Sequence, residues 1–146
     1  MKSLSVAAAL MLCAGNVFAG AAFGTQEEAK AIAAQMTSIV QDGGVEAAIS
    51  AMHDPALPFS ESQMGVHVFE QNIIVADNRE PELIASSYAE LADLTGDSMW
   101  PRIVAAADQS GDAILEWYHY DTEAEYTYNC HSEWAVQGDV LIMVCR

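Results

Sequence analysis

The chain has 146 residues, enough for one domain with a hydrophobic core. Its 21 acidic and 5 basic residues give a formal net charge of −16, which argues against nucleic acid or an anionic membrane surface as a partner, because phosphate binding needs Lys and Arg. The favoured interpretation of this acidity is that it keeps the protein soluble. The alternative is that the acidic surface attracts cations.

Residues 1–19 have the pattern of a cleaved signal peptide. A basic start precedes an apolar run, Leu4–Leu12, that is too short to span a bilayer, and Val17-Phe18-Ala19 matches a small-x-Ala cleavage motif. Lipidation at Cys13 is the alternative, but bulky residues precede that cysteine. We therefore predict one exported domain, residues 20–146, that is soluble in the periplasm and not inserted in the membrane.

Cys130 and Cys145 form an even pair once the leader and its Cys13 are removed. They lie symmetrically about Gln137-Gly138, so a hairpin at that point brings them face to face. Because exported proteins keep such pairs oxidised, we predict a disulfide rather than a free nucleophilic thiol.

Helical signals come first along the chain. Thr25 and Glu28 form a capping box, and apolar residues follow at helical spacing until Gly43-Gly44, where the pattern predicts the end of the first helix. A shorter second helix is predicted over about residues 45–52, before two prolines.

The pattern then changes to that of strands. Strands are predicted over residues 65–70 and 73–76, joined by a tight turn. A long insert follows, with a short helix over about 83–91 and another helix over about 99–109. Three strands are predicted to end the chain, over about 113–120, 125–133 and 140–145.

This order predicts an α+β domain: a long N-terminal helix packed on a five-stranded antiparallel sheet with a helical insert. Large side chains alternate to both faces of the strand at 113–120. We therefore expect the sheet to be covered on both sides, by helix on one and by a roofed pocket on the other.

The order of short motifs resembles the single Cache domain, the extracytoplasmic PAS-like sensor module of bacterial chemoreceptors and kinases. The motifs are Asp42-Gly-Gly-Val-Glu-Ala-Ala-Ile in the helical region, Pro58-Phe59, the strand Val66-x-Val68-Phe69, the loop with Pro81, and Asp93-x-x-Gly96 before a helix and an aromatic strand. The resemblance covers about residues 25–146.

The resemblance implies a pocket on the sheet that binds a small metabolite, often a carboxylate. Its wall would draw on the aromatic strand, the loop after the second strand and the Asp-x-x-Gly segment. The predicted ligand-binding residues are Asp77, Arg79, Asp93, Trp117, Tyr118, Tyr120 and Glu125.

Two departures from the family pattern bear on ligand charge. Asp77 stands about where a His is common, and Glu125 precedes Tyr126 where a Lys is common. We hypothesise an amine or another cation as ligand, since carboxylates pair with cations and aromatic faces attract them. In the alternative, these positions are solvated rim and their charge says nothing about the ligand.

The segment 116–134 concentrates Trp, Tyr, His and carboxylates, which raises metal binding and catalysis as alternatives. Pairing His119 with Glu125, and Ala113 with His131, would separate the two histidines by ~20 Å, too far for one ion. Weak surface binding of Ca²⁺ by carboxylates is a further alternative.

Tyr126 and Tyr128 are predicted to pack against neighbouring side chains across the strands. No catalytic or cofactor motif occurs, so we predict no enzyme, cofactor or metal centre.

The predicted function is a free-standing sensor domain that passes ligand occupancy to a separate partner, such as a membrane receptor or kinase. The chain ends at Arg146, directly after the last predicted strand, so signalling is expected to pass through protein contact or through a homodimer along the first helix. The alternative is a ligand-free structural or interaction protein of the periplasm on the same fold.

Overall fold

The computed structural model describes residues 23–146, so the predicted leader at 1–19 and Cys13 lie outside the described residues. The helices are α1 (Gln26–Met52) and α2 (Met99–Ala107). The strands are β1 (Gly65–Glu70), β2 (Ile73–Asp77), β3 (Asp112–Tyr118), β4 (Glu125–Val136) and β5 (Val140–Cys145).

The strands form one antiparallel sheet in the order β2-β1-β5-β4-β3. The predicted α+β architecture is confirmed, with the long N-terminal helix on one face of the sheet. Val66 and Val68 of β1 and Ile142 and Val144 of β5 pack against α1. The opposite face of the sheet packs against α2 and the segment between β2 and α2, which we call the roof (residues 78–98).

The helical region at the start of the chain matches its prediction. Thr25 and Glu28 form the capping box, and the span of α1 leaves helical geometry at Gly44, whose φ of 76° and ψ of −175° divide it into two helical stretches at a kink. The predicted end of the first stretch at Gly43-Gly44 and the shorter second stretch to Met52 are therefore confirmed. Helical geometry resumes after Gly44 because Ala48, Ala51 and Met52 bury their side chains in the core.

The helix predicted around residues 83–91 is wrong. Two short 3₁₀ turns, Pro81–Leu83 and Tyr88–Glu90, occupy this part of the roof. Contacts with the sheet edge decide the backbone here: Ala85 N donates to Ile74 O at 2.8 Å and Tyr88 N to Asn72 O at 2.8 Å. These bonds replace the local ones that a helix would need.

The predicted register between β3 and β4 is wrong by one residue. Tyr118 pairs with Glu125 and Asp112 with His131, instead of His119 with Glu125 and Ala113 with His131. The connection is closed by the His119 side chain, whose Nδ1 accepts from Asp121 N at 3.1 Å and Thr122 N at 3.2 Å. The observed register places Trp117 opposite Tyr126 on the roof face of the sheet.

The disulfide between Cys130 and Cys145 is present, as predicted. The two cysteines are direct partners in the β4–β5 ladder, with Cα atoms 4.0 Å apart. The neighbouring pair, Asn129 and Arg146, exchanges both backbone hydrogen bonds, so the cysteines occupy a non-hydrogen-bonded position where side chains approach closely.

Candidate functional site

A small cavity lies between the sheet and the roof, and we call it the inner cavity. Its volume is about 20 Å³, counted as space that the centre of a water molecule can occupy, which is room for about one water molecule. The lining residues are His67, Glu80, Tyr88, Met99, Leu115, Trp117, Tyr120, Tyr128, Cys130, Met143 and Cys145.

A buried ion pair lies at one side of the inner cavity. His67 Nδ1 lies 2.7 Å from Asp77 Oδ2, and both side chains are almost fully buried. The other Asp77 oxygen accepts from the backbone N–H groups of Arg79 and Glu80, each at 2.8 Å. Asp77 therefore ends β2 and holds His67 with the same carboxylate.

The two groups shift each other's pKa. Burial lowers the pKa of His67, but the charge of Asp77 and the hydrogen bond to it outweigh burial, so the net shift is upward. Burial raises the pKa of Asp77, while the charge of His67 and the hydrogen bonds outweigh it and give a net downward shift. These shifts favour an imidazolium paired with a carboxylate.

Glu80 brings a second carboxylate to the cavity wall. Trp117 Nε1 donates to Glu80 Oε1 at 3.0 Å, and this contact connects the roof to β3. Burial is the main cause that raises the pKa of Glu80, opposed by the Trp117 hydrogen bond and by the charge of His67. A half-buried carboxylate with one neutral donor keeps unused acceptor capacity toward the cavity.

Tyr88 adds a phenol in an unusual position. Its side chain is buried, with 4 % exposure, and it lines the inner cavity. Its hydroxyl makes no hydrogen bond with another described residue, but it is not among the fully buried polar atoms that lack a partner. Burial raises the pKa of this hydroxyl, so it is a neutral donor and acceptor beside the cavity.

An aromatic cluster closes the remaining side. Tyr120 packs on Tyr128 with ring centroids 4.7 Å apart, and its hydroxyl lies 3.4 Å from His67 Nε2. Phe23, just before α1, packs on both tyrosine rings and on His119. The Tyr128 hydroxyl is used within the protein, because it accepts from Tyr120 N at 3.0 Å.

Outside the inner cavity lies an open groove of about 350 Å³, which we call the outer groove. Its lining residues are Arg79, Glu80, Glu82, Tyr118, His119, Tyr120 and Glu123. Glu80 and Tyr120 line both spaces, so these two side chains form the wall between them.

The structure brings together some of the seven predicted site residues. Trp117 and Tyr120 line the inner cavity, and Asp77 lies behind His67. Arg79 and the half-exposed Tyr118 line the outer groove. Arg79 is paired with Asp121 and lies 5.5 Å from the centre of the Tyr120 ring.

The other two predicted residues lie apart from both spaces. Glu125 is exposed at the start of β4. Asp93 is buried beside the free edge of β3, where its Oδ2 accepts from Arg102 at 2.5 Å and from Glu116 N at 3.2 Å. Leu94 N also donates to Glu116 O at 2.9 Å, so this segment covers an edge strand.

Sequence reasoning missed His67, Glu80 and Tyr88 as site residues. His67 stands in a strand that is buried at five successive positions, so no polar alternation marked it. Glu80 is one of 21 acidic residues, so its residue type alone did not single it out. Tyr88 lies among polar residues of the roof, and its burial follows from tertiary packing.

Metal binding finds no support in the described part of the chain. Among residues 23–146, no group of three or more His, Cys, Asp or Glu side chains is arranged to hold a metal ion.

Over the same residues, no helix has the length and hydropathy needed to cross a membrane.

No family model matches the chain, and no curated protein matches it. Solved structures do match its fold. A periplasmic sensor domain of a chemotaxis protein shares 15 % identity with a TM-score of 0.60, covering 82 % of this chain and 88 % of that one. A methyl-accepting chemotaxis protein from Vibrio parahaemolyticus RIMD 2210633 shares 20 % identity with a TM-score of 0.59, covering 82 % and 80 %.

A third solved structure that matches this chain is described by the name of its domain. It is a Cache chemosensory domain whose structure is described as the basis for carboxylic acid recognition, with 12 % identity, a TM-score of 0.58, and coverage of 82 % and 86 %. The chain has the fold of a single Cache domain. The resemblance predicted from the sequence is thus confirmed, and the inner cavity lies between sheet and roof, where that resemblance places a Cache pocket.

Proposed function

We propose that this Cache-fold chain is a periplasmic sensor domain that binds a small molecule in the inner cavity and passes occupancy to a separate partner protein. The observation that carries the proposal is the cavity wall itself. It combines large aromatic side chains with polar groups that the protein leaves incompletely paired, namely Glu80 and the Tyr88 hydroxyl. Such a combination is typical of ligand sites. The solved structures of the same fold are sensor domains, and no catalytic role is proposed.

The charges at the cavity favour a small amine or another cation as ligand. His67 and Asp77 compensate each other, which leaves Glu80 as the uncompensated charged group in the lining. The lining residues include no Lys or Arg, and Arg79 is engaged by Asp121 outside the cavity. Trp117 and Tyr120 offer aromatic faces to a cation beside that carboxylate. This chemistry differs from carboxylic acid recognition, which one solved Cache domain displays.

Binding must enlarge the cavity. A volume of about 20 Å³ admits about one water molecule, so a ligand must displace the wall formed by Glu80 and Tyr120. Movement of that wall would join the inner cavity to the outer groove. Ligand binding then selects an open arrangement of roof and sheet, and the changed surface is presented to a membrane receptor or kinase, or alters a homodimer along α1.

The small volume also favours a second function. A cavity nearly filled by the protein's own side chains suits a ligand-free structural or interaction protein on the same fold. In this case Glu80, Trp117 and Tyr88 would be packing groups that join the roof to the sheet.

The deciding experiment is native mass spectrometry of the chain exported with its own leader and recovered from the periplasm. A thermal-shift panel of amines, amino acids and organic acids accompanies it. A sensor should retain a small molecule or gain stability from one class, by ~2.7 kcal/mol at a hundred times the dissociation constant. An empty protein that no compound stabilises would support the structural function instead.

Variants then test the ligand charge. Glu80→Gln should weaken binding of a stabilising amine by about tenfold or more, since it removes a charge-assisted contact. Glu90→Gln changes an exposed carboxylate elsewhere in the roof and should leave affinity unchanged. If the stabiliser is instead neutral or anionic and Arg79→Ala abolishes its binding, the cationic ligand is wrong.

A further inference from the structure

The outer groove contains a cation that belongs to the protein itself. Arg79 extends from the start of the roof to the connection between β3 and β4, where its Nη2 donates to Asp121 Oδ1. The centre of its guanidinium lies 5.5 Å from the centre of the Tyr120 ring, within the range of a cation–π contact. The guanidinium therefore contacts both a carboxylate and an aromatic ring at the wall of the groove.

The backbone of Arg79 is held independently of these side-chain contacts. Its N–H donates to Asp77 Oδ1 at 2.8 Å. The preceding side chain, Asn78, accepts from Val66 N at 2.7 Å and so ties the start of the roof to β1. The Arg79 side chain can therefore leave Asp121 while the backbone of the roof stays attached to the sheet.

The other charges of the groove are negative. Glu80, Glu82 and Glu123 line it, and among its described lining residues Arg79 is the one Lys or Arg. Because Arg79 is engaged by Asp121, the charge of the three glutamates remains uncompensated and attracts cations. The groove volume of about 350 Å³ is enough for a small organic molecule. The position of the Arg79 guanidinium identifies where in this groove a cation meets a carboxylate and an aromatic ring together.

We propose that the outer groove is a binding site for a small organic cation, an alkylammonium or a guanidinium, at the position that Arg79 occupies in this structure. Arg79 is a tethered competitor, which a ligand cation displaces from Asp121 and from the Tyr120 ring. Because Tyr120 also forms the wall of the inner cavity, this displacement releases the wall for movement. The groove site stands on its own geometry, whereas the effect on the inner cavity rests on the proposed sensor function.

Such an exchange requires a weak internal contact. An ion pair with an exposed partner is weak, because water solvates the charges and the long side chain loses freedom. The Asp121 side chain is 59 % exposed, although that of Arg79 is only 18 % exposed. Removal of Arg79 should therefore raise the affinity of the groove for a cation by about two- to fivefold, the range expected for an ion pair of this kind.

The test uses methylguanidinium as the probe. It is titrated into the exported chain and into its Arg79→Ala variant, while NMR follows the Tyr120 ring and the Asp121 amide. The variant should bind the probe about two- to fivefold more tightly than wild type, with saturable shifts at both residues. Arg79→Lys keeps a tethered cation and should stay close to wild type. Lys30→Ala removes a positive charge from an exposed position of α1, so it controls for net charge and should also match wild type.

A second variant checks where the probe binds. Asp121→Asn in the Arg79→Ala background removes the carboxylate and should weaken binding of the probe by about threefold. Glu90→Gln in the same background changes an exposed carboxylate outside the groove and should leave the affinity unchanged. Equal affinities of wild type and Arg79→Ala, or an affinity that does not depend on Asp121, would overturn the groove site.

The link to the inner cavity is tested with the amine that stabilises wild type most in the thermal-shift panel. That amine should bind Arg79→Ala about two- to fivefold more tightly than wild type. Equal affinities would overturn the competition by Arg79 and leave the sensor function standing, and so would a panel in which only neutral or anionic compounds stabilise the protein. If no compound stabilises either protein, the sensor function is wrong, and the methylguanidinium titration still decides the groove site.

Discussion

Asp77 Oδ2 lies 2.7 Å from His67 Nδ1, and the pair joins the end of β2 to the middle of β1 inside the protein. Asp77 uses its second oxygen to cap the turn that leads into the roof. One carboxylate therefore sets both the charge of His67 and the path of the chain toward Glu80. Because Glu80 and His67 line the same cavity, the pair determines the electrostatics of the candidate ligand site.

The first prediction concerns Asp77→Asn, which removes one partner of this buried pair. We expect a loss of about 3 kcal/mol in the free energy of unfolding near neutral pH, because the other charge is left uncompensated. His67→Gln in the Asp77→Asn background should cost little more, since the two changes remove one interaction. Urea unfolding of the four proteins measures this coupling, and additive losses would contradict it.

The pH dependence of the pair follows from the two shifts. The raised pKa of His67 means that its contribution is complete below the ordinary value of 6.5 and is lost as pH rises through the raised one. The lowered pKa of Asp77 means that its contribution is present above 3.8 and is lost as pH falls through the lowered one. Between these limits wild type should exceed Asp77→Asn in stability by the largest margin.

The sequence predicted the layer order and the strand hairpins because those features depend on local signals. Alternation, turn residues and the cysteine pair around Gln137-Gly138 are all readable without tertiary structure. The predicted register between β3 and β4 was wrong because the His119 side chain accepts hydrogen bonds from the turn that joins the two strands. The pairing is therefore shifted by one residue. The helix predicted around residues 83–91 of the roof was wrong because backbone hydrogen bonds to Asn72 and Ile74 at the sheet edge override the helical preference of this segment.

The candidate site was predictable in part for the same reason. Trp117 near the end of β3 and Tyr120 just after it belong to an aromatic segment whose residue types mark them. His67 and Glu80 take their roles from distant partners, Asp77 and Trp117, which no local pattern connects. Asp93 matched a family motif, yet in this chain its carboxylate is used by Arg102 and by the edge of β3.

Asp93→Asn should therefore affect stability without affecting ligand binding. Burial opposes ionisation of Asp93, but the hydrogen bonds from Arg102, Thr95 and Glu116 outweigh it and hold the pKa well below its ordinary value. Removing the charge should cost about 2 kcal/mol, the scale of a charge-assisted hydrogen bond. The difference from wild type should disappear as pH falls, because the wild-type carboxylate is then protonated too. A large loss of ligand affinity at unchanged stability would instead place Asp93 at the site.

Removal of the disulfide should be measurable and separable from the cavity chemistry. Cys130 and Cys145 are 15 residues apart in sequence, and the chain-entropy account of a loop this size gives about 3 kcal/mol of stabilisation. The double variant Cys130→Ala/Cys145→Ala should lose about this amount in urea unfolding. Wild type with reductant should lose a similar amount, and if neither falls, the bond does not constrain the unfolded chain.

The last prediction concerns Gly65, which gives Tyr120 its place. A Cβ added at Gly65 would overlap the Tyr120 hydroxyl and lie 2.7 Å from His67 Nε2. Gly65→Ala should therefore push Tyr120 out of the wall that separates the inner cavity from the outer groove, and lower the melting temperature by several degrees. Tyr120→Ala removes the ring that the new methyl group would meet and leaves only the contact with His67 Nε2, so Gly65→Ala should lower the melting temperature less in the Tyr120→Ala background than in wild type.

The same pair of variants tests whether Tyr120 controls entry to the inner cavity. If it does, both Gly65→Ala and Tyr120→Ala should raise the association rate of any stabilising ligand, as measured by stopped-flow tryptophan fluorescence with Trp100 and Trp134 replaced by Phe, so that Trp117 at the cavity gives the signal. Gly138→Ala is a suitable control because it strains a hairpin glycine, with a φ of 73°, far from Tyr120 in sequence and with nothing within 4 Å of the added Cβ. This control should lose stability while its association rate stays unchanged. Equal association rates in wild type and both wall variants would show that ligand enters by another route.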